Sequence, residues 1–384
     1  MTSRTAVLDA DALIAAARVE VGPARHTALT VLTEALRTEA RLHPQGAVAV
    51  AAGLVASLRL AAGRAALWER RPEIAATPVT RPVFVTGLLR SGTTLMQNLL
   101  NQVHGLRAPA LWELMNPVGE RTDEAGRERL TAQAQAYVDE YYSVAPLLRA
   151  LHFLDARRPD ECHRLTSPAF TSMVLGMRYR VPSYDAWLAG TGMAAGYSEH
   201  RRLLQSIAWR LPAERLLLKC PFHLWSLGDL LAEYPDATVV VMHRDPVVTV
   251  GSTCLLCESV RGARSHDIDR LDIGRQWSAA TAEGISRHER ARAAHPAAAF
   301  LDVRYADLMT DPAGAVERVC AALGVPFGEP DRAAVTAHLR ANPQHGTGTY
   351  RYRAADYGLE DALADGPFEQ YRTRFGLSPG RPSS

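Results

Sequence analysis

The residues from Arg81 to Leu100, RPVFVTGLLRSGTTLMQNLL, place a strand, a glycine-bounded turn and a helix in immediate succession. The run PVFVTG is apolar and rich in β-branched residues, which is typical of a strand buried on both faces of a sheet. Gly87 and Gly92 then frame a turn with the spacing G-x-x-x-x-G. Because glycines permit a tight turn and the following helix presents free N–H groups, this order predicts a site for a phosphate-like anion.

The side chains of this loop suit an anionic ligand. Arg90 can donate a charge-assisted hydrogen bond, and Thr93 and Thr94 carry hydroxyl donors. Loops that hold nucleoside triphosphates have lysine at the position occupied here by Thr93, so the charge that reaches the β- and γ-phosphates is missing. The loop therefore predicts a phosphate compound but does not favour ATP.

Further apolar runs alternate with helix-length segments after the loop, at residues 215–219, 237–243 and 297–305. This alternation predicts an α/β fold in which a P-loop-type central parallel sheet is flanked by helices. Residues 1–78 have helix-like periodicity, and we expect a helical N-terminal portion packed on the core. The remaining residues, 79–384, form the α/β domain, in which 116–210 are predicted to be a mostly helical insertion that supplies a cap or a pocket.

Composition excludes several classes of protein. The 43 basic and 41 acidic residues give a formal net charge of +2 without a long basic run, which argues against a nucleic-acid partner. Five scattered cysteines do not suggest a disulfide framework, so we expect a reducing, cytoplasmic location. The opening residues lack the apolar core of a secretory signal. The segment Ala47–Leu58 is shorter than the roughly 20 residues of a membrane span, so no transmembrane segment is expected.

A second basic element follows another predicted strand, in VVVMHRDPVVTVGSTCLL. Arg244 lies just beyond the apolar run, Asp245 suits the N-cap of a helix, and Pro246 suits its first turn. Ser252 lies two turns into that helix. Because the carboxyl ends of neighbouring parallel strands converge on one crevice, we expect Arg244 to meet the same ligand as Arg90.

Together these elements resemble the sulfotransferase family that uses 3'-phosphoadenylyl sulfate (PAPS). In that family a loop of the R-S-G-T-T type holds the 5'-phosphosulfate, and a later arginine with a serine eight residues on holds the 3'-phosphate. Three other segments also resemble parts of the family. LLLKCPFHL (216–224) is similar to its strand-end lysine segment, and RYADLMTDP (304–312) is similar to a segment that begins with a tyrosine two residues before an aspartate. TYRYRAADYGL (349–359) is similar to its basic C-terminal segment. Arginine in the loop places the chain nearer to the bacterial, carbohydrate and tyrosyl-protein branches.

The resemblance implies an enzyme that moves a sulfuryl group from PAPS to a hydroxyl of a small-molecule, lipid or carbohydrate acceptor and releases adenosine 3',5'-bisphosphate. Such a donor has no γ-phosphate, which accounts for the missing lysine. No metal is expected, since Cys254 and Cys257 lack a second pair of ligands. The residues implied in donor binding are Arg90, Ser91, Gly92, Thr93, Thr94, Arg244, Ser252, Tyr305, Arg351 and Arg353.

The sequence offers several candidates for the general base that takes the proton of the acceptor hydroxyl. Glu113 is the first choice, because it follows the loop at a distance that resembles the base of the arginine-loop branches. Glu161 and His163 are alternatives, and His223 is another histidine that could assist. Arg90 and Lys219 are expected to stabilise the charge that develops during transfer.

Two rival functions remain open at this point. One is a P-loop kinase or nucleotidase, which would need magnesium and the loop lysine. The other is a nucleotide-binding module that has lost catalysis. The expected partner is a small-molecule hydroxyl acceptor, and a homodimer is a possible assembly.

Overall fold

The computed structural model describes residues 8–121, 123–343, 351–359 and 366–379. Within this part of the chain, five parallel strands form one sheet with the order β2-β3-β1-β4-β5. Their bounds are β1 Val83–Gly87, β2 Leu106–Arg107, β3 Arg215–Lys219, β4 Thr238–His243 and β5 Ala299–Arg304. The predicted α/β fold with a central parallel sheet is confirmed.

Helices surround this sheet. In chain order they are α1 Ala10–Ala17, α2 Pro23–Thr38, α3 Pro44–Arg70, α4 Thr93–Leu100, α5 Leu111–Met115, α6 Glu124–Val144, α7 Leu148–Leu151, α8 Val174–Arg178, α9 Pro182–Thr191, α10 Ala194–Arg210, α11 Leu227–Glu233, α12 Pro246–Gly262, α13 Arg270–Ala294, α14 Tyr305–Thr310, α15 Pro312–Leu323, α16 Glu329–Ala341 and α17 Pro367–Phe375. Short 3₁₀ turns lie at Pro72–Ile74, Cys162–Leu165, Ser167–Ala169, Pro221–Ser226 and Ala354–Tyr357.

The four strands predicted from apolar runs are all present, and burial explains why they were recognisable. Every residue of β1, β3 and β4 is buried, because helices cover both faces of the sheet. The edge strand β5 differs from the expectation of burial on both faces, since most of its residues are partly or fully exposed. The two-residue strand β2 was not predicted, because two residues are too few to show a periodic pattern.

The turn between β1 and α4 has an unusual backbone. Gly87 and Gly92 have φ values of +151° and +95°, which L-residues with a side chain rarely adopt. A Cβ on Gly92 would lie 2.7 Å from Cδ2 of Tyr305, so glycine also permits close packing here. Arg90 itself has a φ of +67°, in the left-handed region that is strained for a residue with a Cβ.

The end of β4 leads directly into α12, as predicted. Asp245 accepts a hydrogen bond of 3.1 Å from the N–H of Val247, and Pro246 occupies the first turn. The N-cap satisfies an N–H that the helix itself leaves unpaired. This arrangement fixes Arg244 between the carboxyl end of the sheet and the start of α12.

Helices α1 to α3 pack on the rest of the protein within one hydrophobic cluster. Leu54 and Leu58 of α3 are buried in it, and Arg64 Nε donates to Glu199 of α10 over 2.8 Å. Helix α3 extends well past the apolar segment Ala47–Leu58 that the sequence analysis considered as a membrane span. Arginine is a good helix former, so Arg59 does not end the helix. Of the described helices, α3 alone is long and apolar enough to cross a membrane by length and composition.

The segment between β2 and β3 is mostly helical and contains α5 to α10. It packs over the carboxyl ends of β1 and β3, where the 3₁₀ turn Cys162–Leu165 contacts α5 and α10. The hydroxyl of Tyr197 in α10 forms a hydrogen bond of 2.8 Å with Nδ1 of His223, which connects this helix to the segment that follows β3. The proposed boundaries at residues 78, 116 and 210 stay predictions, but the segment covers the place where the loop opens.

Candidate active site

A cavity of about 500 Å³ lies at the carboxyl end of the sheet, between the loop and the helical segment. Its described lining includes the loop residues Arg90, Gly92, Thr93 and Thr94 and, just after β4, Arg244. Much of the remaining lining is apolar or aromatic and includes Tyr137, Tyr141, Leu154, Val174, Met177, Phe222, Leu256 and Val260. One cavity therefore combines cationic side chains with a large apolar surface.

The two predicted donor-binding elements contact each other directly. Arg90 Nε donates to Ser252 Oγ over 3.1 Å, and its NH1 donates to the Leu151 carbonyl over 2.6 Å. Arg244 NH1 in turn donates to the carbonyl of Arg90 over 3.0 Å. The strained backbone of Arg90 is thus held by the second basic element, and the residues from the two motifs form one cationic cluster.

The remaining loop groups leave room for an anion. Ser91 Oγ is buried and has no hydrogen-bond partner within the described structure, and Ser91 itself is not part of the described cavity lining. Thr93 is buried while Thr94 is exposed, and both line the cavity. Tyr305 packs against Gly92, and the guanidinium of Arg244 lies 4.2 Å from the centre of its ring.

A second polar network starts at the end of β3. Lys219 Nζ donates to Glu161 Oε1 over 2.9 Å, and both groups are largely buried. Glu161 Oε2 lies 3.2 Å from His163 Nδ1, and Glu161 Oε1 lies 4.0 Å from His152 Nε2. Glu161, His152 and His163 line the cavity, so a cation, a carboxylate and two imidazoles meet beside the loop.

The electrostatics of this network follow from burial and from the lysine. Burial alone would raise the pKa of Glu161, but the charge of Lys219 and the contact with His163 outweigh it and hold the pKa well below its usual value. Burial lowers the pKa of His163 to about 4, although Glu161 opposes the shift. At neutral pH the pair therefore consists of a carboxylate and a neutral imidazole, which can accept a proton.

Glu113, the first choice for the base, is held by contacts with residues close to it in the chain, and its role stays a prediction. Its two carboxylate oxygens accept from Arg107 NH1 over 2.8 and 3.0 Å, and Oε2 also accepts from the N–H of Ala110 over 2.9 Å. The side chain is buried and is absent from the described lining of the cavity. The carboxylate caps α5 and pairs with β2, because both partners are only a few residues away in the chain.

Six further predicted residues also lie outside the described lining of the cavity, namely Ser91, Lys219, His223, Ser252, Arg351 and Arg353. His223 is buried between Cys162 Sγ, at 3.1 Å from Nε2, and the hydroxyl of Tyr197. Arg351 and Arg353 are exposed, on either side of a buried Tyr352 whose hydroxyl donates to the Val248 carbonyl of α12 over 3.3 Å. Residues 349 and 350 of that segment lie outside the described part of the chain.

One group of described residues has the composition of a metal site. Candidate ligand atoms of Glu161, His163 and Cys220 all lie within 4.8 Å of one another. Burial raises the pKa of the Cys220 thiol well above its usual value, and Lys219 already supplies a cation to Glu161. A protonated thiol is a weak ligand, so this donor set does not suit a divalent metal.

The sequence did not draw attention to several residues of the cavity. His152, Tyr137, Arg164, Arg178 and Arg264 all line it. Tyr137 and Arg178 lie in helices, Arg164 lies in a 3₁₀ turn, and His152 and Arg264 lie just past the ends of helices. None belongs to a recognisable motif, and only the fold brings them together.

The fold and the cavity define a P-loop-type α/β protein in which the glycine-bounded loop, Arg244 and the Glu161–His163 pair line one cavity. Comparison with known proteins assigns the family. A family model described as "Sulfotransferase family" matches residues 82–329. The solved structure of sulfotransferase STF1 from Mycobacterium tuberculosis is 31% identical over 97% of this chain and 99% of that chain, with a TM-score of 0.81. The chain belongs to the sulfotransferase family, and this prediction from the sequence is confirmed.

Two of the other similar proteins are also mycobacterial sulfotransferases. The structure of sulfotransferase STF9 from Mycobacterium avium shares the fold, with a TM-score of 0.84. It is 24% identical in sequence, and the match covers 97% of this chain and 98% of that chain. The omega-hydroxy-beta-dihydromenaquinone-9 sulfotransferase Stf3 from Mycobacterium bovis is 26% identical over 260 residues, which are 64% of this chain. The match spans 63% of the length of that curated relative.

Proposed function

We propose that this protein transfers a sulfuryl group from PAPS to the hydroxyl of an acceptor molecule and releases adenosine 3',5'-bisphosphate. The observation that carries the proposal is the convergence of the loop, Arg244 and the Glu161–His163 pair on one cavity. Family membership supports the same reaction class. Both the donor and the acceptor would bind in this cavity. The donor would lie beside the cationic loop, and the acceptor would lie beside the apolar side chains.

The loop would hold the 5'-phosphosulfate. Its backbone N–H groups, the N-terminus of α4 and the unpartnered Ser91 Oγ are available to the anion, with Thr93 and Thr94 beside them. Arg244 and Ser252 would hold the 3'-phosphate, and Tyr305 would pack beside the nucleotide. Arg351 and Arg353, which flank the anchored Tyr352, would reach the donor from the surface.

Sulfuryl transfer breaks the bond between sulfur and the 5'-phosphate oxygen and forms a bond between sulfur and the acceptor oxygen. The acceptor hydroxyl must lose its proton, and in this proposal His163 accepts it. Glu161, 3.2 Å from the other ring nitrogen, stabilises the imidazolium that results. Lys219 and Arg90 stabilise the negative charge that develops on the sulfuryl oxygens and on the leaving phosphate.

The acceptor is proposed to be a small molecule or lipid whose hydroxyl is attached to an apolar body. Leu154, Val174, Met177, Leu256 and Val260 give the cavity an apolar wall next to the proton-accepting pair. The Stf3 relatives are named for a hydroxylated acceptor, which supports a hydroxyl as the acceptor group. A carbohydrate would leave its many hydroxyls unpaired against this wall.

The first experiment compares ligands by thermal shift. Adenosine 3',5'-bisphosphate is expected to stabilise the protein, whereas ATP with magnesium is expected to do so much less. Transfer of labelled sulfate from PAPS to a panel of hydroxyl compounds then tests catalysis. Stabilisation by ATP with magnesium alone would favour the kinase or nucleotidase, and donor binding without any transfer would favour the inactive module.

Location and assembly are separate parts of the proposal. All five cysteines are free and buried, which supports a reducing cytoplasmic location. A homodimer and the absence of a nucleic-acid partner stay predictions from the sequence. Cell fractionation and light scattering of the purified protein would test them.

A further inference from the structure

Charge is distributed unevenly over the cavity wall. Its described lining contains five arginines but a single carboxylate, that of Glu161, which already pairs with Lys219. Arg90 and Arg244 belong to the proposed donor site, and Arg164 pairs with Asp160 over 2.7 Å. Arg178 and Arg264 remain, and neither has a carboxylate partner among the described residues.

Arg264 lies away from Ser252 of the proposed donor site, whereas Arg178 lies beside His163. Ser252, Leu256 and Val260 follow one another at intervals of four along α12, and Arg264 lies two residues past the end of that helix at Gly262. At 1.5 Å per residue, the helix rises about 15 Å from Ser252 to Gly262. Leu256 and Val260, which line the cavity, lie between Ser252 and Arg264 in the chain.

The fold holds both arginines in place through contacts of the main chain. The carbonyl of Arg264 accepts from the N–H of His43 over 3.0 Å, and a Cβ on Gly46 would lie 2.1 Å from that oxygen. Arg178 ends helix α8, whose Gly176 carbonyl accepts from Arg261 of α12 over 2.5 Å. The start of α3 therefore positions Arg264, which gives the N-terminal portion a place in the architecture of the cavity.

Tyr137 shows the effect of these charges. Its hydroxyl lies where burial would normally raise the pKa, yet the neighbouring Arg164, Arg178 and Arg264 lower it. The ring of Tyr137 also stacks on Tyr141 at 6.1 Å between centres and lies 5.4 Å from the guanidinium of Arg164. A phenol that is more easily ionised despite burial indicates a local excess of positive charge that an anion would offset.

We propose that Arg178 and Arg264, beside the hydroxyl of Tyr137, bind an anionic group of the acceptor, so that the acceptor is an apolar hydroxy compound with a carboxylate or a phosphate. The inference rests on the proposed function and specifies its acceptor. Arg178 NH2 also lies 3.4 Å from His163 Nε2. An anion on Arg178 would offset the charge that opposes protonation of that imidazole, which couples acceptor binding to proton transfer.

Binding is measured by calorimetry on protein saturated with adenosine 3',5'-bisphosphate, so no transfer is required. The probes are ω-hydroxy fatty acids of increasing chain length, the matching ω-hydroxyalkyl phosphates and the matching α,ω-diols. At least one anionic series is expected to bind about tenfold or more tightly than the diols, since charge-assisted hydrogen bonds are the stronger kind. The series that binds more tightly distinguishes a carboxylate from a phosphate.

Arg264→Gln is the main variant, because it removes the charge but keeps the main-chain hydrogen bond to His43. It is expected to abolish most of the preference for the anionic probe, while Arg129→Gln, on the exposed face of α6, retains it. Raising the salt concentration should weaken binding of the anion to the parent protein but not binding of the diol. Equal affinity for anion and diol in the parent protein, or an unchanged preference in a folded Arg264→Gln variant, would overturn the proposal.

The outcome is independent of catalysis. If anions bind through Arg264 but no probe accepts labelled sulfate, the anion site is supported and the proposed transfer is not. If diols accept sulfate as well as the anions and bind as tightly, the transfer is supported and the anion site is rejected.

Discussion

Arg90 and Ser252, 162 residues apart in the chain, are joined by a hydrogen bond of 3.1 Å from Nε to Oγ. The loop arginine is thereby oriented by the helix that follows β4, while Arg244 holds its carbonyl oxygen. The two motifs form a single cluster in which each positions the other. A ligand that binds one element is therefore expected to be sensitive to substitutions in the other.

Replacement of Arg244 by alanine tests the donor site. Arg244→Ala is expected to weaken binding of adenosine 3',5'-bisphosphate by about 2 kcal/mol or more, since a charge-assisted partner of a phosphate and a support of the Arg90 carbonyl are both lost. Calorimetry measures the affinity, and Arg129→Ala serves as a matched surface control. Equal affinity in Arg244→Ala and the parent protein would remove Arg244 from the donor site.

The positive φ of Arg90 allows backbone strain to be separated from the function of its side chain. Both Arg90→Ala and Arg90→Gly lose the guanidinium, so both should lose turnover as well as donor affinity. At a φ of +67° only glycine is free of steric strain, and Arg90→Gly is expected to be about 1 kcal/mol more stable than Arg90→Ala. Denaturant unfolding measures the difference, and alanine being the more stable variant would contradict the assigned backbone strain.

The general base is tested by comparing His163→Ala with Glu113→Gln. If His163 accepts the acceptor proton, His163→Ala should lower turnover by about 10² to 10⁴ with little change in donor affinity. Glu113→Gln should mainly lower stability, by about 1 to 3 kcal/mol, because its carboxylate pairs with Arg107 and caps α5. Collapse of turnover in a stable Glu113→Gln variant, with a nearly normal His163→Ala variant, would return the base to Glu113.

The dependence of turnover on pH gives an independent test. Burial lowers the pKa of His163 to about 4, and Lys219 holds that of Glu161 well below its ordinary value despite burial. The pair can accept a proton only when it is unprotonated, so turnover should stay level from neutrality downward and fall as the pH approaches about 4. A fall in turnover near pH 6.5, the ordinary pKa of histidine, would show that the pKa of His163 is not lowered.

The free energy of unfolding should also fall as the pH is lowered. The unfolded chain binds a proton at His163 with a pKa of about 6.5, whereas the folded protein binds it only near 4. Between these values the unfolded state holds more protons, and acidification therefore destabilises the fold. His163→Ala should reduce this loss of stability over that interval, as measured by thermal unfolding at several pH values.

The sequence by itself determined the elements that depend on short-range order. The strand β1, the glycine turn and α4 follow from residues that are adjacent in the chain, as does the cap of α12 by Asp245. Continuous apolar runs marked the central strands because these strands are buried on both faces. The family followed from two motifs whose side chains and spacing could be compared without knowledge of the fold.

Only the tertiary structure decided which side chains share the cavity. Glu113 has a suitable position in the sequence, but Arg107 and Ala110 are close enough to bind its carboxylate locally. Glu161 instead meets Lys219, 58 residues away, because the helical segment folds back over the end of β3. Arg178 and Arg264 belong to no motif, and their shared role depends on the packing of α8, α12 and α3. Such contacts depend on how distant elements pack together, which local patterns in a single sequence do not specify.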